Sequence, residues 1–251
     1  MSSGPTTATP ASLSNGLSQT DVVVQGIKAM LTSGAIGPGS RLPVEKDLAT
    51  SLGVSRGSLR EGVRALCIMG VLETRQGDGT YVTSLDSSLL LAPMGFMVDL
   101  QAPEHRQDLH TVRRILESEA AARAALRITE EQLAQAEKVL ADVEPLVLGS
   151  GELDHAAIME ADIAFHHVVA SAADNPPLCA LIDAFANRTQ RARLWVGLNN
   201  NGQVRASHGD HTRILGALQA HNPDRARLLM SHHLLVMEDY IHDQTGSPLD
   251  Q

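Results

Sequence analysis

Aromatic side chains are nearly missing: three Phe, two Tyr and one Trp in 251 residues. The core must therefore be built from Leu, Ile, Val, Met and Ala. Cysteine is as scarce. Cys67 and Cys179 stand far apart with no CxxC partner, so there is no disulfide framework or zinc-ribbon spacing, and the pair fits a reducing cytosol. No apolar run is long enough for a bilayer. The longest, Leu89 to Val98, is short and broken by Pro93 and Gly95. Met1 to Asn15 are mostly Ser, Thr, Gly, Pro and Ala, with neither the basic start nor the apolar centre of a secretory signal. A cytoplasmic protein without membrane contact is expected.

Positive charge is also short overall, since the net charge is −9, which by itself argues against nucleic acid. The distribution reverses that reading. Residues 1–84 hold seven Lys/Arg against six Asp/Glu, a balance of +1, which leaves −10 for the rest. The N-terminal part can thus present a local basic face. With 43% hydrophobic and 20% charged residues, the chain is globular and long enough for two small cores.

Residues 1–17 are expected to be a flexible tail. Val23, Val24, Ile27, Met30 and Leu31 recur at helical spacing. Gly34, Gly37, Pro38 and Gly39 end that helix. A second helix is predicted from about Pro43 to Leu52, stopped by Gly53. A third is predicted from an N-cap at Ser55 to about Met69, burying Leu59, Val63 and Leu66. Val71–Arg75 and Thr80–Thr83, joined by Gln76-Gly77-Asp78-Gly79, carry a hairpin signal. Residues 85–105 are expected to be a connector with some helix. Beyond about Gln107 the pattern is all helical. Segments are predicted at Leu109–Ala125, at Thr129–Leu146 with Thr129 as cap, and at Glu152–Ala172. Three more follow at Leu178–Leu198, at Val204–Ala220, and from Asn222-Pro223-Asp224 to about Asp243.

The third helix carries Arg56, Arg60 and Arg64 at i, i+4 and i+8, opposite its apolar stripe. Two helices joined by a tight Gly turn suit entry into a major groove. Arginine can fork onto guanine or grip phosphate. Ser55, Ser58 and the free N–H groups at the helix start can bind phosphate. From spacing alone, a solvated arginine face explains the pattern equally well.

The ordered segments Ser40-Arg41-Leu42-Pro43-Val44-Glu45-Lys46-Asp47-Leu48-Ala49, Leu52-Gly53-Val54-Ser55-Arg56, Leu59-Arg60-Glu61, Gly70-Val71-Leu72 and Gly77-Asp78-Gly79-Thr80-Tyr81-Val82 resemble the GntR family of bacterial regulators. The resemblance implies a mainly α protein with an N-terminal winged helix-turn-helix at residues 18–84. It implies a sequence-specific transcription regulator, taken here as a repressor, that binds palindromic double-stranded operator DNA as a homodimer. Carried over residue by residue, the DNA contacts fall on Lys46, Arg56, Arg60 and the wing at Gln76 and Gly77. The sequence departs from the family at Gly57, where a hydroxyl residue is usual. It departs again at Gly62, where alanine is usual, at a cost of about 0.8–1 kcal/mol unless the glycine is tightly packed.

Histidine is plentiful: eleven, most of them between His155 and His242. Asp162 and His166, four apart, leave the same helix face, a common way for one helix to give a metal two ligands. His208, His211, His232 and His233 lie on two later helices. Spacing does not say which imidazoles meet, and Asp162/His166 alone reads equally as an ordinary i,i+4 pair.

Arg113-Arg114-Ile115-Leu116-Glu117, Asp162-Ile163-Ala164-Phe165-His166 with Asn175-Pro176, His211-Thr212-Arg213-Ile214-Leu215 and Met230-Ser231-His232-His233-Leu234 resemble the all-helical ligand-sensing (FCD) domain of the FadR-type GntR branch. The resemblance implies an antiparallel helical bundle at residues 106–245. It implies a divalent metal ion (Zn, Ni or Mn) on Asp162, His166, His211 and His233. It further implies a small organic acid as effector, with Arg113 at the position that forks onto its carboxylate. A surface ion pair with Glu117 accounts for Arg113 equally well. Two other functions compete with this one. In one, the metal itself is the signal. In the other, a metal-dependent hydrolase or isomerase is fused to a DNA-binding head, against which the matched segments offer no HExxH, phosphate loop or spare general base. The expectation is therefore a regulator and not an enzyme.

Overall fold

A computed structural model of the chain describes residues 18–100, 106–149, 153–185 and 201–246. The expected tail at 1–17, the end of the connector at 101–105 and the second half of the predicted 178–198 helix lie outside them. The chain divides into two units, Met1–Leu90 and Leu91–Gln251.

In the first unit, Ser18 and Asp21 form a reciprocal capping box that opens α1, Gln19–Thr32. Helix α2 spans Glu45–Leu52 and α3 spans Arg56–Ile68. Pro43 lies before α2, whose N-cap, Val44, offers no side-chain acceptor. Gly53 ends α2 with φ 67°, the left-handed conformation that glycine adopts without steric cost. Two residues later the Ser55 hydroxyl accepts the Ser58 N–H at 3.0 Å and opens α3, a cap worth about 1 kcal/mol. Strands β1, Leu72–Arg75, and β2, Gly79–Val82, pair antiparallel in the register Leu72↔Val82 to Arg75↔Gly79. Arg41 adds a bridge to Tyr81. Val23, Ile27, Leu48, Leu59, Leu66, Leu72 and Val82 close one core beneath these elements.

Helix α4, Ser87–Asp99, occupies the expected connector and includes Pro93. The second unit comprises α5 (Arg106–Arg127), α6 (Glu130–Leu148), α7 (His155–Ala172), α8 (Pro176–Phe185), α9 (Asn201–Gln219) and α10 (Pro223–Gly246). Thr129 and Gln132 form a second capping box. The Asn222 side chain accepts the Arg225 N–H at 3.0 Å where α10 begins. Helix α8 starts earlier than the sequence predicts. Pro176 and Pro177 fill its first turn, where a missing N–H costs nothing, and Asn175 Oδ1 accepts from Leu178 N at 3.3 Å. Helix α5 packs along α10, while α7 packs on α5 and α6. Ala121, Ala124, Ala125 and Ala136 share their core with Phe165, Ile214, Leu218 and Met230. The architecture is a winged helix-turn-helix followed by an all-α bundle.

Candidate nucleic-acid interface and metal centre

Arg56, Arg60 and Arg64 all lie exposed on α3, with Leu59 and Leu66 buried beneath. Arg60 is not free: its fork grips Glu45 of α2, with Nε 3.0 Å and Nη2 2.9 Å from Oε2. That bond, more than net Coulomb attraction, holds the Glu45 carboxyl below its usual range. Arg64 pairs with Glu61 at 3.0 Å. Lys46 on α2 is exposed, as are Gln76 and Gly77 at the tip of the β1–β2 hairpin. The Ser55 and Ser58 hydroxyls lie 2.9 Å apart and bond each other.

A groove of about 550 Å³ runs between α2, α3 and the hairpin, lined by Arg41, Glu45, Arg60, Arg64, Gln76 and Gly77 among others. The hairpin glycines have different jobs. A side chain at Gly77 (φ 75°) would meet only open space, whereas a Cβ at Gly79 would lie 2.8 Å from Arg41 Nε. Gly79 therefore makes room for Arg41, whose guanidinium bonds the Asp78 carbonyl. Tyr81 donates to Asp78 Oδ2 at 2.7 Å, and the Arg75 guanidinium lies 4.2 Å from the centre of the Tyr81 ring. These braces hold the hairpin tip. Sequence reading did not find them, or Glu45: Arg41 and Glu45 have partners on other elements, and the Tyr81 contacts form only once the hairpin closes.

In the second unit, Asp162 and His166 leave one face of α7 toward His211 of α9 and His233 of α10. Asp162 Oδ1 lies 3.6 Å from His166 Nε2 and 3.5 Å from His211 Nε2. His211 Nε2 is 3.2 Å from both His166 Nε2 and His233 Nε2. The donor atoms all fall within 4.8 Å of one another. The three imidazole side chains are at most 5% exposed and Asp162 11%. The Phe165 ring covers His211, with centroids 4.7 Å apart.

The donor set decides what fits there. Burial drives the His233 pKa down to about 4, so its ring is neutral near pH 7. His166 Nδ1 is bonded to Glu117 Oε2, which directs the Nε2 lone pair inward. Three ring nitrogens and a carboxylate oxygen thus point at one spot. A proton on His211 Nε2 can serve at most one of its two 3.2 Å neighbours well. A divalent cation would satisfy all four acceptors, and this nitrogen- and oxygen-rich set suits Zn, Ni or Mn.

Arg113 is 7% exposed and Glu117 2%. They form a salt bridge four residues apart, so the pair is a buried one and not the surface pair considered from the sequence. Glu117 joins Arg113 to His166. Asp210 Oδ2 lies 3.8 Å from His233 Nδ1 on the far side of the cluster. The sequence suggested Glu117 only as a partner of Arg113, and assigned Asp210 no role. Of the remaining imidazoles, His232 is exposed. His208 borders a space of about 20 Å³ beside Asp162 and His211, and burial lowers its pKa.

A DNA-reading head with a helical sensor bundle defines a class of one-chain transcription regulators. Residues 19–82 match the bacterial regulatory protein gntR family model, and residues 108–235 match the FCD domain model. LutR, an HTH-type transcriptional regulator of Bacillus subtilis, is 31% identical over 84% of this chain and 96% of its own. Two relatives from Escherichia coli K12 strains are each 28% identical. They are the Glc operon transcriptional activator, covering 89% of both chains, and the repressor NanR, covering 84% of this chain and 80% of its own. The solved structure of Streptococcus agalactiae GntR is 28% identical, with a TM-score of 0.63 over 88% of this chain and 99% of that one. The chain belongs to the GntR family of bacterial transcription regulators and carries an FCD domain. No described helix is long and apolar enough to cross a membrane.

Proposed function

We propose that this regulator is a cytoplasmic repressor that grips an operator as a homodimer and is controlled by a small organic acid at a metal site formed by Asp162, His166, His211 and His233. The gathering of three buried imidazoles and the Asp162 carboxylate, with donor atoms all within 4.8 Å of one another, carries this reading. A metal ion held there would supply a Lewis acid with open positions to which a carboxylate binds directly. Arg113, beside the cluster through Glu117, is the guanidinium placed to meet such an acid. The space beside Asp162 and His211 is about 20 Å³, room for one water. Binding that favours one helix arrangement over another is what shifts an equilibrium between DNA-competent and released states.

In the head, Arg60 and the Gln76–Gly77 tip line the groove and, with Lys46, Ser55, Arg56 and Ser58, supply the DNA contacts. A gel shift on the region upstream of the gene tests this. Arg56→Ala and Arg60→Ala are each expected to weaken specific binding by about 1–3 kcal/mol, and affinity should fall steeply with salt. Unchanged binding by both variants would remove the recognition assignment. Metal analysis of the purified protein, followed by a melting screen with small acids, tests the sensor. The small space beside the cluster favours a second reading, in which the metal alone is the signal. In that case DNA affinity follows free metal concentration with no acid present.

A further inference from the structure

Residues 166 and 167 are consecutive on α7 and so leave the helix about 100° apart. The His166 side chain is 1% exposed and joins the inner cluster, while that of His167 is 52% exposed on the outer face. There it meets Cys179 and Asp183, which are four apart on α8 and so leave that helix on the same side. His167 Nδ1 is 3.0 Å from Asp183 Oδ1, and Cys179 Sγ is 3.7 Å from Asp183 Oδ2. One nitrogen, one sulfur and one oxygen donor lie within 4.8 Å of one another. We propose that His167, Cys179 and Asp183 form a second, solvent-facing metal site that takes a thiophilic divalent ion of the zinc class.

Three features support it. The first is spacing. Donors about 2.0–2.3 Å from a tetrahedral zinc ion lie about 3.3–3.8 Å from one another, and the observed separations need only small side-chain movement to reach that. The second is chemistry. A thiolate–imidazole–carboxylate set is selective for zinc-like ions over magnesium or calcium, whereas the inner cluster has no sulfur. The third is support from beneath. Leu178 and Ile182 of α8 are buried with Ala170 and Ala173 against Ala120, so the helix presenting Cys179 and Asp183 is fixed by its own packing. His167 and Asp183 are about half exposed, which leaves a fourth position for water or an incoming ligand. Metal binding there would release to solvent both the Cys179 thiol proton and the proton that His167 Nδ1 shares with Asp183.

The site does not depend on the inner cluster, and one titration separates the two. Full-length protein is stripped with chelator, kept reduced with a phosphine, and titrated with Co²⁺ as a stand-in for zinc. Only a thiolate ligand gives the intense near-ultraviolet sulfur-to-cobalt band. The expected result is one thiolate-bound cobalt per chain. That band should be lost in Cys179→Ser and strongly weakened in His167→Ala. It should be kept in Cys67→Ser and in His233→Ala, which disables only the inner cluster. Cys179→Ser should also lower total cobalt by one ion per chain. Absence of the band in the unaltered protein, or its survival in Cys179→Ser, overturns the proposal and leaves a hydrogen-bonded trio. Failure of the inner site alone would show as a normal thiolate band with one ion fewer.

Discussion

Glu117 accepts from Arg113 with one carboxylate oxygen and contacts His166 Nδ1 with the other. Removing it leaves a buried guanidinium without its partner. Glu117→Ala is therefore expected to cost about 3–5 kcal/mol of stability in a denaturant titration. Glu117→Gln keeps the shape but loses the charge that orients the imidazole. It should retain the fold and weaken metal affinity about 10–100-fold, read by competition with a chromophoric chelator. Half of the inner cluster was legible in the sequence for a simple reason: Asp162 and His166 are four apart on one helix. His211 and His233 were chosen over His208 and His232 only by family resemblance, because each pair is split by which helix face turns inward. Glu117 was legible only as an ion-pair partner of Arg113; its contact with His166 was not, since that ring is 49 positions away.

On α3, propensity and packing oppose each other at Gly62. Alanine there would gain about 1 kcal/mol of helix propensity. Its Cβ, however, would lie 2.5 Å from Val23 Cγ1 and 2.6 Å from Val23 Cβ on α1. Overpacking of this kind costs about 1–3 kcal/mol, so the clash wins and Gly62→Ala should lower the melting temperature. Of the two glycines that depart from the family pattern, Gly62 is thus the one that lets α1 and α3 touch. The Arg60 fork gives a pH test on α2. Its bond to Glu45 lowers that carboxyl from 4.5. The pair is intact above that value and is lost as pH falls through the lowered one. Carbon-detected NMR should place the Glu45 titration below 4.5, and Arg60→Ala should move it upward. Helix starts were legible at Ser55, Thr129 and Asn222, where a side chain caps them. The start of α8 was not, because Pro176 and Pro177 read as a stop, although proline is equally at home in a first helical turn.

For the molecule as a whole, the division into two units localises the effect of metal. A bound ion stabilises only the state that holds its ligands together, and all four inner candidates lie on α7, α9 and α10. Hydrogen exchange is expected to speed up in α5, α7, α9 and α10 on chelation and to stay unchanged in α1 to α3. Equal loosening of both units would contradict an inner site confined to the bundle. The shortage of aromatics also finds an account at this scale. The buried face of α5 is largely alanine (Ala120, Ala121, Ala122, Ala124 and Ala125), so neighbouring helices approach closely and large rings have little room. Phe165 fills the exception, against His211.

That shortage has an optical consequence. Tyr81, braced by Asp78 and Arg75 on the hairpin, is the only Phe, Tyr or Trp in the first unit, and the single tryptophan, Trp195, belongs to the second. Light that excites only indole therefore interrogates the sensor unit. In a protein carrying Trp195→Phe and Tyr240→Phe, every photon of tyrosine emission comes from the wing, which becomes an intrinsic, label-free reporter of its contact with an operator.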